Sequence, residues 1–268
     1  MMNLAGKTAV VTGAANGIGR AISRSLARRG CHLALADVNE AGLAETAGLA
    51  AGAGRRITCH HLDVADKQAV AAFPETVTAT HPGVDILVNN AGVALGGTFD
   101  QVAEADFEWL IDINFWGVVR MTRAFLPLLR ASDGAQLVNI SSLFGLIAPP
   151  GQTAYCAAKF AVRGFSESLR HELEGTRIGV TTVHPGGVAT SIARNARHAE
   201  AQTEAELADA HRRYEKLLRM PPEEAGEIIV RAVEQRRPRI IVGSDARNAS
   251  FVERLFPVTY WKLINYRR

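Results

Sequence analysis

The sequence predicts an α/β protein with a doubly wound, seven-stranded parallel sheet and helices on both faces. One observation behind this is a series of short apolar, β-branched runs separated by stretches long enough for a helix. A second is that these runs are apolar at nearly every position instead of alternating, the pattern of strands covered on both sides. A third lies between them: Ile18, Ile22 and Leu26, like Ala161, Phe165, Leu169 and Leu173, recur at helical steps and so share one helix face.

In chain order the strands are read at residues 8–13 (TAVVTG), 32–37 (HLALAD), 57–63 (ITCHHLD), 85–92 (DILVNNAG), 136–142 (QLVNISS), 179–186 (GVTTVHPG) and 239–243 (RIIVG). The segment 191–220 differs, being polar, rich in helix formers and closed by Pro221-Pro222, and it reads as an inserted helical flap. Residues 249–268 form an apolar and basic tail to which the pattern assigns no structure. No repeat of solenoid period is visible. With 268 residues and no Pro/Ser-rich linker, the expectation is one domain over 1–268, with 191–220 as a lid and 244–268 as a tail.

A composition with 47% apolar and 21% charged residues excludes disordered and collagen-like chains. A net charge of +3 is too balanced for a protein that neutralises many phosphates, so no nucleic-acid partner is expected. The charge is uneven, however: residues 236–268 hold eight basic and two acidic residues. That tail could touch an anionic membrane surface or a partner, pack on a neighbouring subunit, close the pocket, or simply be solvated. No run approaches 18 apolar residues and no secretion signal is visible, so a cytoplasmic location is expected. Cys31, Cys59 and Cys156 have no metal-type spacing and read as small hydrophobes in a reducing compartment. The eight histidines show no ligand spacing either; His60 and His61, adjacent on a strand, point to opposite faces. No metal is expected.

The first strand runs directly into Thr12-Gly13-Ala14-Ala15-Asn16-Gly17-Ile18-Gly19. Glycines there let the backbone approach a pyrophosphate, and the helix that follows presents free N–H groups and a partial positive charge. Asp37, at the end of the second strand, lies 18 residues after Gly19, near the spacing of an acid that hydrogen-bonds a ribose 2′-hydroxyl. A carboxylate there would repel the 2′-phosphate of NADP, which makes NAD the expected cofactor. Arg20 is the nearest cation and is expected to face away.

The turn has three residues between its first two glycines. With Asn89-Asn90-Ala91-Gly92 after the fourth strand, Ser142 after the fifth, and Tyr155-Cys156-Ala157-Ala158-Lys159, it resembles the short-chain dehydrogenase/reductase family. The resemblance runs from Lys7 to about Thr190 and implies a Rossmann-type dehydrogenase domain. It also implies a catalytic set of Asn114, Ser142, Tyr155 and Lys159, and a cofactor site from Gly13, Asn16, Gly17, Ile18 and Gly19. Asp63-Val64 resembles the pair that contacts adenine, although Asp63 could instead cap a helix. Asn89, Asn90, Ala91 and Gly92 look like the segment that stabilises the central sheet and lines the adenine ribose. Pro185, Gly186, Val188 and Thr190 look like the turn that accepts the nicotinamide. Tyr155 and Lys159 are assigned to the cofactor as well. A homodimer or homotetramer through the Tyr155 and Trp109 helices is implied too.

The chemistry is consistent with the residues themselves. Tyr155 and Lys159 stand at i and i+4, on one helix face. A phenol acting as base near neutrality must lose about three pH units from its ordinary value, roughly 4 kcal/mol, and a neighbouring ammonium can supply stabilisation of that order. The resemblance gives Ser142 the task of bonding the substrate oxygen, with Ser141 as competitor. It gives Asn114 the holding of a relay water, against a structural amide as the plainer role. The expected reaction interconverts a secondary alcohol and a ketone with NAD(H), Tyr155 being general acid/base. Apolar stretches after Ser142 (Leu143 to Ile147) and after Gly92 (Val93 to Leu95) suggest a bulky lipophilic substrate. The alternatives are an NADPH-preferring carbonyl reductase and a non-catalytic cofactor-binding sensor or scaffold.

Overall fold

A computed structural model describes residues 1–52, 54–199, 201–206, 208, 212 and 217–266. Its main sheet holds seven parallel strands in the spatial order β3-β2-β1-β4-β6-β7-β9. The strands are β1 (Thr8–Thr12), β2 (His32–Asp37), β3 (Ile57–His61), β4 (Ile86–Asn89), β6 (Ala135–Ile140), β7 (Ile178–Pro185) and β9 (Arg239–Val242). All seven runs read from the sequence are present. A two-stranded ladder of β5 (Leu95–Gly96) and β8 (Arg197–His198) was not foreseen, because two-residue strands carry no periodicity.

The helices are α1 (Gly17–Arg28), α2 (Glu40–Ala50), α3 (Lys67–Thr78), α4 (Glu104–Ile111), α5 (Gly117–Ala131), α6 (Thr153–Glu172), α7 (Pro222–Glu234), α8 (Ser244–Leu255) and α9 (Tyr260–Tyr266). Between α4 and α5 the chain makes one π-helical turn, Asp112–Trp116. The tail left open by the sequence is thus helical in α8 and α9. Part of the predicted flap, residues 200, 207, 209–211 and 213–216, lies outside the described residues, as do residues 267–268 of the tail.

Side-chain alternation along β1 assigns the two cores. Ala9 and Val11 join Ile22, Leu26, Ile229 and Val233 beneath α1 and α7. Val10 joins Phe73, Met121, Phe125 and Leu129 beneath α3 and α5. Each such Leu, Ile or Phe contributes about 1.5–3 kcal/mol by leaving water. Helix α1 stops where Gly30 turns left-handed (φ +85°), with Gly30 N–H bonded to Ala27 O and Cys31 N–H to Leu26 O. The central strands β1, β4 and β6 are buried throughout, whereas on the edge strand β3 His60 is half-buried edge-on to Phe73 and His61 is exposed. The strand order reverses between β1 and β4, and the loops leaving their C-terminal ends open the crevice where such sheets bind ligands.

Candidate active site

The turn after β1 is shaped by what its glycines lack. Gly13 and Gly17 have φ +63° and +52°, and a Cβ on Gly19 would lie 2.0 Å from Gly13 O. A Cβ on Gly13 would lie 2.8 Å from both Ala91 Cα and Asn90 Nδ2. Asn90 stitches the loops of β1 and β4 together: its side-chain amide donates to Thr12 O and Gly13 O, both at 3.0 Å. Thr12 Oγ1 accepts the N–H groups of Asn90 and Ala91 at 3.0 and 3.1 Å. Asn16 is extended and leads into α1, whose first residues are Gly17 and Ile18, so the helix N-terminus faces the crevice without a side-chain cap. This cradle, which side chains would fill, suits a pyrophosphate. Gly19→Ala is expected to destabilise the fold by about 1–3 kcal/mol and to abolish dinucleotide binding, checked by thermal melting and calorimetric titration.

Asp37 closes the cradle from the end of β2. Its Oδ2 accepts Ala15 N–H and its Oδ1 accepts Asn39 N–H, each at 3.0 Å. Arg20, expected to face away, instead folds back on the cradle: its Nε donates to Ala15 O and Thr46 Oγ1, while its Nη1 and Nη2 contact the Glu45 carboxylate at 2.7 Å each. Asp63 is exposed and accepts Ala65 N–H at 2.9 Å; the N-cap of α3 is Asp66, so the capping alternative for Asp63 falls away. Val64 is buried, and a Cβ on Gly117 would lie 2.7 Å from its Cγ2.

Lys159 is 4% exposed, deep in α6, and burial pushes its ammonium down to about 8. Its Nζ donates to Ile140 O at 3.1 Å and lies 5.6 Å from the centre of the Tyr155 ring. A Cβ on Gly92 would be 3.6 Å from that Nζ and 3.1 Å from Asn114 Oδ1, so Gly92 leaves room for this juxtaposition. Phe144 meets the Tyr155 ring edge-on at 6.1 Å. The two serines are distinct: Ser141 Oγ donates to Lys159 O at 2.9 Å inside the core, whereas Ser142 Oγ is half-buried and accepts Phe144 N–H at 3.1 Å. Behind Ser142, His184 Nδ1 meets its carbonyl at 3.1 Å; burial holds that imidazole down to about 4, so it is neutral and Nδ1–H donates. Asn114, fully buried in the π-helical turn, pairs with one peptide group: Oδ1 accepts Val93 N–H and Nδ2 donates to Val93 O, both at 2.8 Å.

The turn after β7 completes the crevice. Pro185 ends the strand, Gly186 N–H donates to Val242 O at 2.8 Å, and Val188 is buried and bridged to Met220. Thr190 Cγ2 stands 3.0 Å from where a Cβ on Gly17 would be, and Ser191 Oγ donates to Asn16 Oδ1 at 3.1 Å. The segment beyond is fastened to the loop after β4 by the β5–β8 ladder. There the Arg197 guanidinium lies 3.6 Å over the Trp109 ring and 3.0 Å from Asp106. Behind the site Asn89, expected to stabilise the central sheet, does so through a buried polar ladder whose other members sequence reasoning missed: Asn89 Nδ2 donates to Thr122 and Asn139, and Asn139 Nδ2 to Ser166. Paired polar residues inside otherwise apolar strands and helices were its available signal. The tail residue Tyr260 gains a partner that the sequence did not show, its hydroxyl accepting Ala148 N–H at 2.9 Å.

A glycine-lined cradle at the switch point, with Tyr and a buried Lys on the helix beside it, defines the class of nucleotide-dependent oxidoreductases. Residues 7–201 match the family model described as short chain dehydrogenase, and the chain belongs to that family. It is 44% identical over 266 residues to SadH of Mycobacterium tuberculosis, covering 98% of this chain and 96% of that protein. It also resembles the crystal structure of a short chain dehydrogenase/reductase from Burkholderia phymatum in complex with NAD, with a TM-score of 0.88 and 31% identity over 95% of each chain. An alcohol dehydrogenase from Thermococcus sibiricus, complexed with 5-hydroxy-NADP, aligns with a TM-score of 0.75 and 28% identity over 88% of this chain and 95% of that one.

Proposed function

We propose that the protein is an NAD(H)-dependent dehydrogenase that interconverts a bulky lipophilic secondary alcohol and its ketone, with Tyr155 as general acid/base. The observation that carries this reading is the buried Lys159 ammonium beside the Tyr155 ring, since an opposite charge in a dry site favours the phenolate. When bound, the nicotinamide accepts or supplies the hydride. Tyr155 then takes or returns the hydroxyl proton, and Ser142 Oγ bonds the substrate oxygen. Asn114 holds the loop after β4 against the π-helical turn and, in this reading, serves the relay water beside Lys159. The test is NADH formation over secondary alcohols from short aliphatic to sterol-sized. Preferred turnover of small polyols would overturn the lipophilic assignment, and no turnover with tight NADH binding would favour a sensor.

The preference for NAD is supported by Asp37 standing at the cradle and by Arg20, the cation nearest in sequence, being paired with Glu45. Asp37→Ala is expected to narrow the NADH-to-NADPH affinity ratio by at least tenfold in paired titrations. NADPH binding as tightly as NADH to the unaltered protein would favour a carbonyl reductase instead.

The same reading treats residues 1–268 as one domain, 191–220 as its substrate lid and 244–268 as its tail. Arg197 on Trp109 and Asp106 is the lid's latch. Arg197→Ala is expected to raise the alcohol KM several-fold, with little change in NAD affinity, and to speed protease cutting within 191–220. A dimer through α4, α5 and α6 is supported by exposed Trp116 and Phe160 and by a cavity of about 460 Å³ between Phe115 and α6. The basic tail, which exposes Phe251, Leu255 and Phe256, is a candidate for peripheral membrane contact. No helix among the described residues is long and apolar enough to cross a membrane. Three free cysteines accord with a reducing, cytoplasmic setting.

A further inference from the structure

We propose that Asp245 is a positioning residue of the cofactor site, which holds from the C-terminal helix α8 the turn that receives the nicotinamide half of the dinucleotide. The inference rests on the dinucleotide reading above. Gly187 N–H donates to Asp245 Oδ2 at 2.7 Å. Asp245 is the second residue of α8, where a carboxylate ordinarily serves the free N–H groups of its own helix. No side chain caps α8, and this one reaches instead to a loop 58 residues earlier in the chain.

The backbone on both sides makes room for that reach. A Cβ on Gly186 would lie 2.4 Å from each carboxylate oxygen, and one on Gly243 would lie 2.3 Å from Oδ1. Gly243 also has φ +101°, a conformation other residues rarely adopt. Neither position takes a side chain while Asp245 keeps this pose. The pinned turn then carries the site: Gly187 O accepts the N–H groups of Arg219 and Met220 at 3.0 Å, Val188 is buried, and Thr190 packs on Gly17. Asp245 thus fixes the base of a segment whose tip is Thr190. The opposite half of the crevice, at Asp37 and Asn90, has its own hydrogen bonds.

The test uses the full chain and two ligands, NADH followed by fluorescence and ADP-ribose by calorimetry, with kcat and KM for NAD alongside. Asp245→Ala is expected to weaken NADH about tenfold, the scale of one charge-assisted hydrogen bond, while ADP-ribose changes less than twofold. The loss should fall on KM for NAD more than on kcat. Asp245→Asn keeps an oxygen acceptor for Gly187 N–H and is expected to restore most of the affinity. Gly186→Ala displaces the carboxylate without removing it, and should reproduce the selective loss even if the alanine variant of Asp245 folds poorly. Equal weakening of both ligands would mean that Asp245 merely steadies α8, and unchanged NADH affinity in both variants would mean that the contact is idle; either overturns the proposal. An unaltered protein that bound neither ligand would overturn the dinucleotide reading, a failure recognisable because it precedes any substitution.

Discussion

Tyr155→Phe is expected to lower kcat for alcohol oxidation on the order of 10³-fold while NADH affinity stays within about twofold, because the substitution removes one oxygen at the reacting centre and nothing from the cradle. The ring stays in place against Phe144 and beside Lys159, so packing is retained and only the proton acceptor is lost. Stopped-flow absorbance of NADH with the best alcohol of the panel measures kcat, and fluorescence titration measures binding. Retained turnover in the variant would mean that another group carries the proton and would sink the assignment. Ser142→Ala provides the companion: since Ser141 Oγ is engaged by Lys159 O, it is not positioned to substitute, and the loss should not be rescued by its neighbour.

Lys159→Met is expected to make the protein nearly inactive and more stable at once. Burial pushes the Lys159 ammonium down to about 8, whereas in the unfolded chain it titrates near 10.4. Below pH 8 both states are charged, and the native state bears the whole cost of a buried ammonium, on the order of 3 kcal/mol. Between pH 8 and about 10.4 the unfolded chain holds the proton that the native one has released, so native stability rises with pH through that window. Methionine removes the charge, so the variant should melt several degrees higher than the parent at pH 7, with the gap narrowing above pH 8. Thermal melts from pH 6.5 to 10 read this directly, and a variant less stable than the parent at pH 7 would refute it. The residual activity should need higher pH, since the Tyr155 phenolate loses its counter-charge.

The inner strands were legible because burial on both faces turns them into apolar runs, and β2 was read to the residue. The glycine turn was legible for a different reason: glycine is the residue a left-handed φ demands, and Gly13 and Gly17 have it. Tyr155 and Lys159 were legible through helical spacing. What stayed hidden was whatever depends on long-range pairing. Nothing near Asp245 in the chain announces Gly187, and nothing near Tyr260 announces Ala148; both contacts exist only because β9 docks on β7 and returns the tail to the crevice. The β5–β8 ladder was invisible because main-chain hydrogen bonds over two residues leave no side-chain pattern. Asn114 stood out in the sequence, but the peptide group in a loop that it pairs with is something no periodicity encodes.

The amide ladder behind the site bears on how the sheet finds its alignment. Strands that are apolar on both faces give almost no instruction about which residue should stand opposite which, since a shifted Val or Leu is still a Val or Leu in an apolar slot. Asn89 and Asn139 are register partners across β4 and β6, and they bond each other. A slip by two residues would keep every side chain on its proper face and still strand both amides among hydrocarbon, at roughly 1–3 kcal/mol each. The ladder therefore works as a vernier for the centre of the sheet: two polar marks that coincide in one alignment alone, and in that alignment bring the loop of Asn90 to the loop of Gly13.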